Sequence, residues 1–169
     1  MKLIITLIIL LSTLQATSLK NLSINQQVTM RYVFEKGKEY DLQLTLTAIA
    51  WQESQFGLYV INIQDVSCGV FHIMPKSLIK RTDLKNNGWN QSRLCERLIE
   101  DIDFSISASV LELKFWLNYW ESKGVSKVWS HAVSSYNGGF KGKVNSKYVQ
   151  DVKTKIKLLR KYYENTKIN

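Results

Sequence analysis

Residues 41–57 read DLQLTLTAIAWQESQFG, and the fold turns on how this stretch is read. Leu42, Leu46, Ile49 and Ala50 recur at three- and four-residue steps, the spacing of one helical face. The spacing predicts a helix over 41–55, with Asp41 as its N-cap and Gly57 as its stop. Glu53 follows Ile49 by four and Leu46 by seven, so it falls on the same apolar stripe. A carboxylate there is partly desolvated, which favours its protonated form and suits it to general acid catalysis. The structural alternative is a Glu that reaches out at the helix end or pairs with a Lys.

Working outward, the pattern stays helical. Residues 24–36 read as a short amphipathic helix ended by Gly37. Residues 57–74 mix β-branched and aromatic residues with turn formers, as in a loop or a small irregular β element. Pro75 opens a helix to about Lys85. NNGWN, at 86–90, reads as a loop. One long helix is expected from Ser92 to Ser122, with Leu94, Leu98, Ile102, Ile106, Leu113, Trp116 and Leu117 on its buried side and Gly124 as its stop. Residues 126–136 suggest a further helix halted at Asn137-Gly138-Gly139, and a last helix with a basic outer face runs from Lys147 to Asn165. The expected fold class is mainly α, a single helical domain with a groove and little or no β structure.

Composition sets the bounds. The 169 residues suit one domain with one core, and 45% hydrophobic with 22% charged residues is ordinary for a globular chain. MKLIITLIILLSTLQATS, residues 1–18, reads as a signal peptide: Lys2, an apolar run from Leu3 to Leu11, then the small residues Ala16-Thr17-Ser18. The run is short for a bilayer span, so stable membrane insertion after cleavage is not expected. Residues 19–169 form the expected domain, and the expected location is the periplasm or outside the cell. In an oxidising compartment the two cysteines, Cys68 and Cys95, pair by default; two buried thiols are the alternative. Their 27-residue separation gives a bond worth about 3 kcal/mol in the chain-entropy picture. The formal net charge of +9, one less without Lys2, suits anionic polymers such as cell-wall glycan with its acidic peptides. Export makes nucleic acid a poor partner. Neither a cofactor nor a metal is expected, and a monomer is.

Four segments then bear on function. AIAWQESQFG (48–57), CGVFHIMP (68–75), AVSSYNGG (132–139) and KYVQDV (147–152) resemble, in order, the motifs of soluble lytic transglycosylases of the lysozyme-like superfamily. That family has a helix ending in Glu-Ser, a Gly-Leu-Met-Gln-Ile-Met-Pro segment, Ala-Tyr-Asn-Ala-Gly, and a tyrosine in a terminal helix. The resemblance spans roughly residues 30–155 and implies an α+β lysozyme-like fold of mainly helical content. It implies that Glu53 is the single catalytic acid/base and that Ser54 helps to orient the carboxylate or the substrate. It implies that Gly69, Val70, Phe71, Ile73 and Met74 line the sugar groove, although Phe71 and Met74 fit a core equally well. Tyr136 and Asn137, in a turn, would face the carboxylate, and Tyr148 matches the tyrosine of the terminal helix. His72 stands where the family has glutamine. Both hydrogen-bond, but only His also becomes charged. An imidazolium there would oppose positive charge on the sugar, so activity is expected to fall as pH drops through its titration near ~6.5. Trp89, in a polar stretch, is a candidate for stacking on a sugar; the other tryptophans read as core or half-buried.

The implied reaction uses no water. Glu53 protonates the oxygen joining N-acetylmuramic acid to N-acetylglucosamine. As a carboxylate it then takes the proton of the muramic C6 hydroxyl, which closes a 1,6-anhydro ring. The tethered nucleophile makes a second carboxylate unnecessary. A hydrolytic muramidase, with Asp65 as the second carboxylate, and an inactive wall-binding protein are the alternatives. A compact enzyme of this kind suits opening the wall for a secretion or conjugation apparatus, or simple remodelling.

Overall fold

The computed structural model describes residues 19–166, so the leader read over 1–18 lies outside the described residues. Among the described residues, seven α-helices, two three-residue 3-10 turns and one two-residue antiparallel strand pair make up the regular structure, a mainly α fold as expected. In chain order the helices are α1 (Ile24–Lys38), α2 (Gln43–Ser54), α3 (Pro75–Ile79), α4 (Gly88–Glu100), α5 (Ile102–Ser122), α6 (Val128–Gly138) and α7 (Lys147–Thr166). The strands are β1 (Ile61–Asn62) and β2 (Ser67–Cys68), paired Ile61 to Cys68 and Asn62 to Ser67.

Helix α2 is the centre of the molecule. It packs on α1 along one side and on α7 along another, while α5 and α6 pack together beside it. Thr45 to Trp51 are all buried, so α2 is apolar nearly all round rather than along one stripe, as befits a helix enclosed by others. Met30 and Val33 of α1, Leu113 of α5, Val133 of α6 and Val149, Val152 and Leu159 of α7 complete the core, with no exposed surface.

The boundaries differ from the sequence reading in ways that have local causes. Helix α1 begins with a capping box between Ser23 and Gln26, and it does not stop at Gly37. Gly37 lies in its last turn because α2 crosses there: a Cβ would sit 2.6 Å from the Gln43 Cα. Asp41 does not cap α2. It sits at φ 55 in a turn closed by Leu42 N–H donating to the Gly37 carbonyl at 3.0 Å, and Leu42 takes the N-cap position without a side-chain cap. At the other end the left-handed turn begins at Gln55, before Gly57, and carries Phe56 into the core. Helix α3 ends at Ile79 rather than near Lys85, since Lys80 to Asn86 offer no apolar side chain that is buried. The Asn87 side chain caps α4 through Asn90 N–H at 2.8 Å, which turns the expected NNGWN loop into a helix start. The long pattern over 92–122 is two helices. Asp101, at φ −111 and ψ 99, ends α4 and caps α5 by accepting from Phe104 N–H at 2.9 Å. Helix α6 runs through Asn137 and Gly138, so Tyr136 and Asn137 are helical and not in a turn.

Two constraints fix the segment after β2. Cys68 and Ile73 exchange both backbone hydrogen bonds, at 3.0 and 2.9 Å, closing Gly69–His72 into a tight turn. The Cys68–Cys95 disulfide, with Cα atoms 5.3 Å apart, ties that turn to α4. Gly69 seats the turn against α4: at φ +80 its missing Cβ would lie 2.3 Å from the Leu98 carbonyl oxygen.

Candidate active site

Glu53 occupies the last turn of α2, where the helix emerges from the core, and its side chain is 15% exposed. The Tyr148 hydroxyl, from the first turn of α7, donates to its Oε1. Burial, then the charge of Glu53, pushes the Tyr148 phenol well above its ordinary value, so it stays protonated and acts as a fixed donor. The other carboxylate oxygen, Oε2, lies 3.6 Å from His72 Nδ1. His72, only 11% exposed on its side chain, is held from behind: Nε2 is 2.7 Å from the Tyr59 carbonyl oxygen. Burial alone would push this imidazole down. The Glu53 carboxylate and the Tyr59 carbonyl outweigh it, with a smaller contribution from Asp65, and the imidazole is raised from its ordinary 6.5.

Tyr136 reaches the same place from α6. Its hydroxyl donates to the Phe71 carbonyl at 3.1 Å, and the Ser109 hydroxyl of α5 lies 3.1 Å away to complete its partners. Burial, then the charge of Glu53, raises the Tyr136 phenol well above its usual range. A pocket opens over these groups. Glu53, His72, Tyr136 and Asn137 line one part of it, and Asp65, Ser67, Ile73, Met74, Ser77 and Glu112 the rest.

The structure thus gathers Glu53, His72, Ile73, Met74, Tyr136 and Asn137 at one pocket, with Tyr148 bonded beneath Glu53. Five expected site residues are elsewhere. Ser54 is fully buried; its hydroxyl donates to the Val70 carbonyl at 2.6 Å and accepts from Gly57 N–H at 2.8 Å, pinning the turn to the helix end rather than meeting substrate. Gly69 packs on α4, and the Val70 and Phe71 side chains are in the core, because the tight turn leaves only its last residue, His72, facing outward. Trp89 is 70% exposed at the start of α4 and does not line the pocket. Glu112 was not legible as a pocket residue. It sits on the inner face of α5, where Arg81 holds both carboxylate oxygens at 3.1 Å and Trp116 Nε1 donates to Oε1 at 2.7 Å. Its signal was the same as that of Glu53: a carboxylate between Ser109, Leu113 and Trp116 on an apolar helix face.

A larger cavity, about 540 Å³, lies at the opposite end of α2. Asp41, Gln43, Trp129, Lys153, Lys157 and Arg160 line it, and Glu53 does not.

A family model described as the transglycosylase SLT domain matches residues 31–159. The uncharacterized 20.7 kDa protein of the vs-regB intergenic region of Enterobacteria phage T4 is 28% identical over 151 residues, with 78% of each chain covered. No solved structure matches the chain.

Proposed function

This chain belongs to the transglycosylase SLT domain family, and from that membership we propose that it is an exported lytic transglycosylase of peptidoglycan with Glu53 as its acid and base. The observation that carries the reading is the setting of Glu53. It is a partly buried carboxylate at a helix end, with one oxygen held by Tyr148 and the other beside the His72 imidazole at the pocket wall. In the first half of the reaction Glu53 gives its proton to the glycosidic oxygen between N-acetylmuramic acid and N-acetylglucosamine. In the second half the carboxylate receives the proton of the muramic C6 hydroxyl as that oxygen closes on C1. The Tyr148 hydroxyl keeps the carboxylate in one orientation through both halves. Asp65, at the same pocket, adds negative charge where the sugar becomes positive, while Glu112 is paired with Arg81.

Export rests on the leader read in the sequence and is supported by the Cys68–Cys95 bond, which persists where thiols are oxidised. A second reading, hydrolysis, draws on Asp65, which lines the same pocket as Glu53. Mass spectrometry of digested peptidoglycan separates the readings. Anhydromuramoyl ends are expected; reducing ends would make the protein a lysozyme, and no release would leave it a wall-binding protein.

A further inference from the structure

His72 differs from the other groups at the pocket in having a base aimed at the acid. The Tyr59 carbonyl can only accept, so the proton of a neutral His72 imidazole must sit on Nε2, 2.7 Å away. That leaves the Nδ1 lone pair facing Glu53 Oε2 at 3.6 Å. Oε1 is already satisfied by Tyr148, whose proton does not leave. Oε2 and Nδ1 are thus the two sites open to one mobile proton, at ion-pair rather than hydrogen-bond separation, so that sharing it requires them to close by several tenths of an ångström. His72 holds φ 45, in the left-handed region that His enters more readily than most non-glycine residues, at the last position of the turn closed by Cys68 and Ile73.

We propose that Glu53 and His72 form a proton-sharing pair, in which Nδ1 holds the acid's proton when the carboxylate does not. This rests on the lytic transglycosylase reading and extends it. With one shared proton the pair is neutral overall, either as carboxylic acid with imidazole or as carboxylate with imidazolium. When the acid protonates the glycosidic oxygen, the C1–O bond breaks and the pair is left with a net charge of −1 beside the positive sugar. When the C6 oxygen bonds to C1, its proton goes to Oε2 and is again shared with Nδ1. The cycle is balanced, and no outside acid or base is consumed. His72 acts through Glu53 and is a positioning residue for its proton.

The pairing sets the shape of the pH response. Among the described residues, the groups around the pair are the Asp65 carboxylate from the turn between the strands, the Glu112 carboxylate of α5 neutralised by the Arg81 guanidinium, and the Tyr136 and Tyr148 hydroxyls. The Asp65 charge favours keeping a proton on His72. Loss of that proton gives the alkaline limb of kcat/KM. Gain of a second leaves an imidazolium beside a neutral acid, and this is the acid limb expected from the sequence. Both limbs belong to the pair rather than to either residue.

Two measurements test this. In an NMR titration of the imidazoles, His72 should titrate above its ordinary 6.5 in the wild type and shift downward in Glu53→Gln. In pH–rate profiles on sacculi, His72→Gln should move the alkaline limb toward acid by about one pH unit or more, roughly a tenfold loss at mildly alkaline pH, and should flatten the acid limb. Melting curves establish that the variants fold, and the Glu53→Gln titration serves if His72→Gln does not. Identical His72 titrations in wild type and Glu53→Gln, or superimposable rate profiles, would overturn the shared proton. Coupled titration in a wild type that releases no anhydro ends would count against the proposed reaction and not against the pair.

Discussion

At the scale of single residues, the site depends on one carboxylate placed between a fixed donor and a titratable neighbour. Replacing Glu53 with glutamine keeps the shape and the Tyr148 contact but removes the acid. Lysis of purified sacculi should fall by about four orders of magnitude, as for loss of an essential general acid, while binding to sacculi persists. Substantial residual lysis would take the catalytic role from Glu53. His72 makes a separate prediction about stability. Its imidazole is raised in the folded chain, so it binds its proton more tightly folded than unfolded. The stabilisation is complete below the unfolded value of 6.5 and is lost as pH rises through the folded value. His72→Gln should therefore lower the melting temperature more in acid than at pH above that window. A difference that is constant with pH would show that the charge of His72 adds nothing to folding.

At the scale of elements, the turn that carries His72 is held from both sides. Cys68 and Ile73 close it, Ser54 pins its middle to α2, and the Cys68–Cys95 bond fastens it to α4. Reduction should lower stability by about 3 kcal/mol in the chain-entropy picture and reduce activity with it, because His72 loses its fixed place. Thiol labelling of the unreduced, denatured protein checks the premise: two reactive thiols would remove the disulfide. The joint between α4 and α5 hangs on another side chain. Asp101→Ala deletes the cap of α5 and should cost about 1 kcal/mol, read as a lower urea midpoint with an unchanged slope. A neutral result would mean that packing alone sets the bend between the two helices.

For the whole molecule, part of the basic excess behind the net charge of +9 gathers at one place. Lys153, Lys157 and Arg160 of α7 converge on the larger cavity at the end of α2 remote from Glu53. Cations gathered on one surface attract an anionic polymer in a salt-dependent way. Substituting all three with glutamine should weaken binding to sacculi and flatten its salt dependence, measured by cosedimentation over a range of ionic strength. An unchanged salt dependence would move the wall contact to another face.

Glu53 and Asp101 mark the division between what was legible in the chain and what was not. The helical class followed from apolar spacing, and the group of residues around Glu53 followed from four short motifs in order, because periodicity and local motifs are properties of neighbours in sequence. Asp101 carried a cap signal, yet the apolar pattern continued past it on both sides, so one helix and two helices read alike. Ser54, Val70 and Phe71 belong to motifs but face inward, since which side of a tight turn meets solvent depends on what packs behind it. His72 was visible as a departure from a family pattern. That its Nδ1 meets Glu53 while its Nε2 meets Tyr59 was decided only when residues 19, 13 and 95 positions apart closed on one another, because hydrogen-bond direction is a property of space and not of spacing along the chain.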